Sequence, residues 1–193
     1  MCATLSQIVA APATAERWND LVAVFGRRGA FGGCWCMYWR IKRSEMGRLG
    51  VKGRRAALRK LTQRTLAPGI LFYDAIGIAA PIPFGWCSLG PREDFSVLRR
   101  SPLLKPVDDL PTWSLMCFFL RESYRGKGLL RHLTALALDY AREHGAARIE
   151  AYPRELHPTG PYACMGVADV YRSLGFREIA RRGEHRPVMR LEL

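Results

Sequence analysis

The stretch that most constrains the fold is a near-continuous apolar run, followed by a basic turn that contains two glycines. Residues 112–120 read TWSLMCFFL, which is typical of a strand buried on both faces. The next residues, RESYRGKGLLRHL, predict a turn and then a helix from about Gly126 to His144, with Gly145 as its natural end. A helix N-terminus favours an anion, and glycine lets a ligand approach the backbone. This junction therefore predicts phosphate binding, although neither the P-loop nor the Rossmann glycine pattern is present.

The rest of the chain predicts helices and strands arranged around one sheet. Thr14 is positioned to cap a first helix. The apolar stripe of that helix consists of Trp18, Leu21, Val22 and Phe25. A strongly basic second helix is predicted at 51–66, with Leu58 and Leu61 as its apolar anchors. Further strands are predicted at 4–10, 70–80, 82–90 and 147–153, a short helix at 165–174, and a terminal hairpin at 176–182 and 186–193.

Length, composition and charge set the broad class. The 193 residues suffice for one domain with a substantial core, and a mean hydropathy of −0.09 indicates a globular chain. No apolar run is long enough to span a bilayer and the N-terminus lacks the basic start of a signal peptide, so we expect a cytoplasmic protein without a membrane partner. The formal net charge of +13 favours a polyanionic partner, for which nucleic acid and a phosphate-rich cofactor are both candidates.

One short segment, GGCWCMYWR at 32–40, combines two cysteines with three aromatic residues. A metal site, a redox pair and the wall of a pocket would each have such a composition. The chain has six cysteines, at positions 2, 34, 36, 87, 117 and 164. Only Cys34 and Cys36 are close in sequence, and no second cysteine or histidine pair completes a four-ligand zinc site. We therefore expect no bound metal.

Two motifs resemble those of the GNAT superfamily of acyl-CoA-dependent N-acetyltransferases. The first is Arg125-Gly126-Lys127-Gly128-Leu129-Leu130, at the strand-to-helix junction where the family carries [RQ]-x-x-G-x-[GA]. Leu130 departs from the small residue that usually ends this pattern. The second is YRSLGF, in which Tyr171, Gly175 and Phe176 match the family's late Y-x-x-x-G-F segment.

The resemblance implies a fold, a cofactor and a division of the chain. The implied fold is mixed α/β, with a mostly antiparallel sheet that is flanked by helices and splayed at the cofactor strand. The implied co-substrate is acetyl-CoA. Its pyrophosphate would bind the amides of Arg125 to Leu130, and its pantetheine arm would pair with the backbone of Phe118, Phe119 and Leu120. Residues 1–193 would form one domain, with an acceptor-side part at 4–69 and a cofactor-binding and catalytic part at 70–193.

The reaction requires an uncharged amine and a stabilised thiolate. A lysine-like amine has a pKa of about 10.4, so roughly one in a thousand is neutral at pH 7 and a base helps. We expect Glu150 to be that base, because an acid inside a strand is unusual and shares a face with Tyr152. The alternative is that Glu150 is a buried partner of one of the many arginines. The resemblance assigns stabilisation of the thiolate to Tyr171. The alternative is that Tyr171 only packs on the sheet.

The segment 32–40 occupies the place that walls the acceptor pocket in GNAT proteins. On that basis Trp35, Tyr38 and Trp39, together with Tyr152, are expected to contact the substrate. Flat aromatic rings suit an apolar amine or a cation. Cys34 and Cys36 would then be small packing residues. The alternative is that these aromatic residues only hold the first two helices on the core.

The function expected from these features is transfer of an acetyl group from acetyl-CoA to the primary amine of a small molecule by direct attack. One alternative is acetylation of a protein terminus or lysine. Another is a basic module that binds nucleic acid or a ligand without turnover, for which the helix at 51–66 is the best feature. A solvated face is the usual meaning of such a basic run, so nucleic acid is the less favoured partner. The resemblance is to bacterial members of the superfamily, and a homodimer is compatible with it.

Overall fold

The computed structural model describes residues 7–76, 80–155 and 164–193 of the chain. Its strands form one seven-stranded sheet in the order β1-β2-β3-β4-β5-β7-β6. The strands are β1 Ile8–Pro12, β2 Gly69–Asp74, β3 Ile82–Pro91, β4 Trp113–Leu120, β5 Arg148–Ala151, β6 Arg177–Arg181 and β7 Pro187–Glu192. β4 and β5 are parallel, whereas the other neighbouring pairs are antiparallel. The predicted mixed and mostly antiparallel sheet is confirmed.

Four α-helices flank the sheet in the described part of the chain. They are α1 Trp18–Phe25, α2 Arg43–Leu61, α3 Leu130–Glu143 and α4 Ala168–Arg172. α2 begins earlier than predicted and is interrupted at Gly50, which has φ 58° and ψ −172°. α3 begins later than predicted because Gly126 and Gly128 adopt φ of 68° and 69°, which keeps the preceding turn out of the helix. In α1 the buried stripe contains Val24 instead of Val22.

Three predicted strands differ from the observed ones by two residues or more at one or both ends. β1 runs from Ile8 to Pro12 instead of 4–10, and residues 4–6 lie outside the described part of the chain. β2 ends at Asp74, and of the predicted remainder residues 77–79 are also outside the described ranges. β5 ends at Ala151, two residues earlier than predicted. None of these shifts changes which strands are neighbours.

The sheet opens between its two parallel strands. β4 pairs with β5 through Trp113 and Ile149, Ser114 and Glu150, and Leu115 and Ala151. Beyond Leu115 the described residues contain no further pair between these strands, although β4 continues to Leu120 along β3. The last part of β4 therefore presents backbone groups toward a gap in the sheet. This gap is the predicted splay at the cofactor strand.

β4 separates two apolar clusters because successive side chains of a strand point to opposite faces. Phe118 packs on one face with residues of α3 such as Leu133 and Ala137. Cys117 and Phe119 point to the other face, where the cluster of α1, α2 and β3 lies. None of the helices in the described part of the chain is long and apolar enough to cross a membrane.

Candidate active site

The turn before α3 is built to accept a group at its backbone. Residues 125–128 are exposed, and a Cβ placed on Gly126 or Gly128 would meet no atom within 4 Å. Leu129 is 6% exposed and anchors the turn in the core. α3 has 14 residues, so its N-terminal amides and dipole favour an anion at this position. The turn therefore fits a phosphate-bearing cofactor.

Arg125 joins this turn to the end of the splayed strand. Its Nε donates a hydrogen bond to the Leu120 carbonyl at 2.8 Å. Its guanidinium lies 5.4 Å from the centre of the Phe119 ring. The structure thus brings together two groups of residues predicted to hold the cofactor. They are Phe118, Phe119 and Leu120 of β4 and Arg125, Gly126, Lys127, Gly128, Leu129 and Leu130 of the turn.

A cavity of about 310 Å³ lies on the face of β3 and β4 opposite α3. We call it the inner cavity. Its walls are Phe25, Ala30, Phe31, Gly32, Cys34, Cys36, Tyr38, Trp39, Arg43, Met46, Trp86, Cys117, Phe119 and Cys164. Phe119 belongs to this wall and to the strand beside the gap, so the inner cavity adjoins the predicted cofactor strand. Of the predicted substrate contacts, Tyr38 and Trp39 lie on the wall, whereas Trp35 and Tyr152 do not.

Trp35 is a core residue in this structure. It is 2% exposed, stacks on Trp18 with ring centres 5.9 Å apart, and meets the edge of Phe25 at 5.5 Å. It also covers Gly29, where a Cβ would lie 2.1 Å from the indole nitrogen of Trp35. Trp35 and Cys36 have φ of 45° and 53°, so this segment is a left-handed turn in which both side chains point inward. Trp35 therefore packs on the core, which was the alternative stated for these aromatic residues.

Glu150 lies in a buried polar network away from the wall of the inner cavity. It is 1% exposed, and Arg190 binds it at 2.6 Å while Arg92 approaches it at 3.6 Å. Tyr152, also 1% exposed, donates its hydroxyl hydrogen to Glu150 at 2.9 Å. The same hydroxyl is 2.9 Å from that of Ser114. The structure places Glu150 as a buried partner of arginines, which was the alternative to its role as the base.

Tyr171 on α4 is fully buried in the apolar cluster on the α3 face of the sheet. Its hydroxyl donates a hydrogen bond to the Met165 carbonyl at 3.1 Å. Burial raises the pKa of Tyr171 well above its ordinary value, and the nearby thiols of Cys87, Cys164 and Cys117 raise it further. Two of these thiols, Cys117 and Cys164, are wall residues of the cavity. Tyr171 is therefore protonated at neutral pH and can act as a hydrogen-bond donor.

The sequence did not predict that cysteines from distant segments meet at this cavity. Cys34, Cys36, Cys117 and Cys164 all lie on its wall. The indole of Trp86 donates a hydrogen bond to the Cys36 sulfur at 3.1 Å. The pKa of Cys36 is lowered to about 7 by its hydrogen bond with Cys117 and by that from Trp86, which outweigh the effect of burial. In the described residues no group of three or more cysteine, histidine or acidic side chains is placed to bind a metal ion.

Burial has the opposite effect on the second cysteine of the C-x-C pair. It raises the pKa of Cys34 to about 12, and the neighbouring Cys36 adds to this shift. The two thiols therefore differ in ionisation although one residue separates them. Because Cys117 and Phe118 are successive residues of a strand, the sequence indicates that their side chains point to opposite faces of the sheet. No feature of the sequence predicts the left-handed turn that directs Cys36 inward.

Apart from Cys36, whose pKa is lowered, the charge of the inner cavity comes from one side chain. Its described wall residues include no acid and no histidine, and Arg43 is the charged residue among them. The Arg43 guanidinium lies 5.8 Å from the centre of the Tyr38 ring and donates to the Tyr38 hydroxyl at 3.4 Å. The inner cavity is thus an apolar and aromatic space with one cation.

Solved structures of acetyltransferases share the fold of this chain at low sequence identity. The mosquito arylalkylamine N-acetyltransferase like 5b is 13% identical with a TM-score of 0.54, covering 96% of this chain and 100% of that one. The ribosomal-protein-S5-alanine acetyltransferase of Vibrio fischeri is 17% identical with a TM-score of 0.53, covering 96% and 93%. The protein yncA of Salmonella typhimurium, solved with its cofactor acetyl-CoA, is 16% identical with a TM-score of 0.51, covering 97% and 94%.

The sequence itself identifies the family. A comparison with curated proteins finds no match. Residues 67–176, which are more than half of the chain, match the Acetyltransferase (GNAT) family. This stretch contains the strand that borders the gap, the glycine turn and the Tyr171 segment. The chain therefore belongs to the GNAT family of acetyltransferases, as its two motifs predicted.

Proposed function

We propose that the protein transfers an acetyl group from acetyl-CoA to the primary amine of a small molecule, which attacks directly. The observation that carries the proposal is the gap between β4 and β5, where the strands part after Leu115. The glycine turn adjoins one side of this region, and the inner cavity lies on the opposite face of β4. A cofactor and an acceptor can therefore approach the same strand from opposite faces.

The cofactor would be held mainly by backbone. The exposed amides of Arg125 to Leu130 would bind the pyrophosphate, and the unpaired edge of Phe118 to Leu120 would bind the pantetheine arm. Acetyl-CoA, when bound, supplies a thioester that an uncharged amine can attack. The open space beside Gly126 and Gly128 supports this assignment, because a side chain there would occupy the approach to the backbone.

The acceptor amine would lose its charge through burial. Apolar surroundings disfavour the ammonium form and lower the pKa of an amine. The aromatic wall of the inner cavity, including Tyr38 and Trp39, would provide such surroundings and exclude water. We give Glu150 no part in this proposal, because Arg190 and Tyr152 bind its carboxylate and it is not a wall residue of the inner cavity. Tyr171, buried and protonated, would donate its hydroxyl hydrogen to the departing thiolate in place of the Met165 carbonyl.

The size of the inner cavity favours a small acceptor. Pockets for small molecules measure roughly 300 to 1,000 Å³, and this cavity of about 310 Å³ is at the lower end of that range. The fold does not separate small from large acceptors, since the similar structures include enzymes named for an arylalkylamine and for a ribosomal protein. Acetylation of a protein terminus is the second candidate, and peptides belong in the test for that reason.

The test is acetyl-CoA-dependent thiol release with a panel of aromatic amines, aliphatic amines and short peptides. Tyr171→Phe removes one hydroxyl and keeps the ring, so we expect turnover to fall by about 10- to 1,000-fold with acetyl-CoA affinity unchanged. Tyr140→Phe is the matched control, because the Tyr140 hydroxyl has no hydrogen-bond partner among the described residues and lies on α3. Absence of acetyl-CoA binding, or equal turnover in Tyr171→Phe and the wild type, would contradict the proposal.

A further inference from the structure

A second cavity adjoins the inner cavity and shares part of its wall. We call it the outer cavity; its volume is about 390 Å³. Its walls are Tyr38, Trp39, Arg43, Val97, Arg100, Ser101, Pro102, Leu103, Leu104 and Arg186. Tyr38, Trp39 and Arg43 belong to both cavities. The two cavities are therefore direct neighbours.

The outer cavity is strongly positive. Three arginines, Arg43, Arg100 and Arg186, line it, and no acidic residue of the described chain belongs to the wall of either cavity. Arg43 and Arg100 are exposed and form no ion pair with a described residue. Their charges are therefore available to a ligand instead of being neutralised within the protein.

The three arginines come from separate elements, so the fold brings them together. Arg43 is the first residue of α2, Arg100 lies in the segment that connects β3 and β4, and Arg186 directly precedes β7. Arg186 is 7% exposed, and its guanidinium donates to the Met165 sulfur at 3.4 Å. One of the three cations is thus held in the wall while the other two are at the opening. A concave site of one charge sign with apolar walls concentrates its potential on a ligand.

The chemistry of guanidinium groups defines what this site would bind. Arginine forms paired hydrogen bonds with the oxygens of a carboxylate or a phosphate. The same charges repel a second ammonium group, so polyamines are disfavoured. The inner cavity, in contrast, suits the apolar part of an acceptor. The two cavities together therefore fit a molecule that is apolar at its amine-bearing end and anionic at the other.

We infer that the acceptor is a small amine that also carries a carboxylate or phosphate, with the anionic group bound by Arg43 and Arg100 in the outer cavity. This inference rests on the proposed function, because it takes the inner cavity as the place of the amine. It names the substrate class that the proposed function leaves open. The anion would also fix the position of the amine, because Arg43 is on the wall of both cavities.

The test compares acceptors that differ in one group. The series is 2-phenylethylamine, its para-carboxylate 4-(2-aminoethyl)benzoate, tyramine phosphate and spermidine, each assayed by thiol release. The para-carboxylate and the phosphate ester separate the two anion classes. We expect at least one of them to exceed 2-phenylethylamine in kcat/KM by about 10- to 100-fold, as hydrogen bonds to charged groups allow. The advantage should shrink at high ionic strength, and spermidine should be the poorest acceptor.

Two neighbouring arginines provide a matched pair of variants. Arg100→Gln should raise KM for the preferred anionic acceptor by about 10-fold or more, with kcat and the KM for acetyl-CoA unchanged. Arg99→Gln should leave both values at the wild-type level, because Arg99 is exposed and is not a wall residue of either cavity. Equal kcat/KM for 2-phenylethylamine and for the two amines that carry an anionic group, with no effect of Arg100→Gln, would overturn the inference and leave the proposed function intact.

A binding measurement separates the inference from the proposed function. Calorimetry with 4-ethylbenzoate and with 4-ethylphenyl phosphate, which have no amine and cannot react, reports on the anion site alone. Binding of either probe that is weakened in Arg100→Gln and kept in Arg99→Gln would support the anion site even if no amine were acetylated. Binding of neither probe, or equal binding by all three proteins, would contradict the site.

Discussion

Replacing Glu150 by glutamine tests whether this residue stabilises the fold or acts as the catalytic base. The change keeps the size of the side chain and removes its charge. Arg190 and Arg92, whose side chains are 11% and 7% exposed, would then share Asp108 as their remaining acidic partner. Asp108 lies 2.8 Å from Arg190 but 4.0 Å from Arg92. Arg92 would therefore lose the closer of its two carboxylate partners and keep its hydrogen bonds to the carbonyls of Asp108 and Leu110.

The expected cost follows from the burial of this network. Removing one partner of a buried ion pair costs about 3 to 5 kcal/mol. Because Asp108 still neutralises Arg190, we expect the lower end, about 3 kcal/mol of unfolding free energy. For a chain of this length 1 kcal/mol changes Tm by about 2 to 4 °C, so Tm should fall by roughly 6 to 12 °C. Turnover per folded molecule should change less than about twofold.

Urea denaturation measures the free energy of unfolding, and thiol release at 20 °C measures turnover of the folded fraction. Asp139→Asn is the control, because Asp139 is 62% exposed and forms a surface pair with Arg142 at 2.9 Å. Such a pair contributes less than about 1 kcal/mol. A turnover loss of about 100-fold or more in Glu150→Gln, with stability equal to that of the control, would refute the reasoning and restore Glu150 as the base.

Three other changes test separate parts of the structure. Gly128→Glu should greatly weaken acetyl-CoA binding in calorimetry while the fold survives, because it adds a side chain and a negative charge at the exposed turn. Unchanged affinity for acetyl-CoA would place the cofactor elsewhere. Trp35→Ala should lower the unfolding free energy by about 3 to 5 kcal/mol, since Trp35 is a buried core residue. A changed KM for the acceptor without a loss of stability would instead indicate that Trp35 is a wall residue of the acceptor site. Iodoacetamide should alkylate Cys36 faster as the pH rises, with a midpoint at about 7, because the thiolate reacts and the pKa of Cys36 is lowered. A midpoint near 9, or the same alkylation rate in Cys36→Ala, would contradict this expectation.

Local sequence determined the elements that we propose to hold the cofactor. The apolar run at 112–120 became β4, and the RGKG turn became the exposed N-terminal approach to α3. Both are short-range features, because strand burial, glycine conformation and helix start depend on residues that are close in the chain. The same holds for the terminal hairpin, which forms β6 and β7. Element bounds were less well predicted, as the break at Gly50 within α2 shows.

Only the tertiary structure decided which side chains line the two cavities. Trp35 and Tyr38 are three residues apart, yet a left-handed turn directs Trp35 into the core while Tyr38 lines both cavities. The sequence did not predict which arginine pairs with Glu150, and the structure shows that Arg190, 40 residues away, binds it. The thiols and the arginines of the two cavities likewise come from separate elements. A sequence pattern reports on neighbours along the chain, whereas burial and charge pairing depend on contacts that form only when distant segments pack.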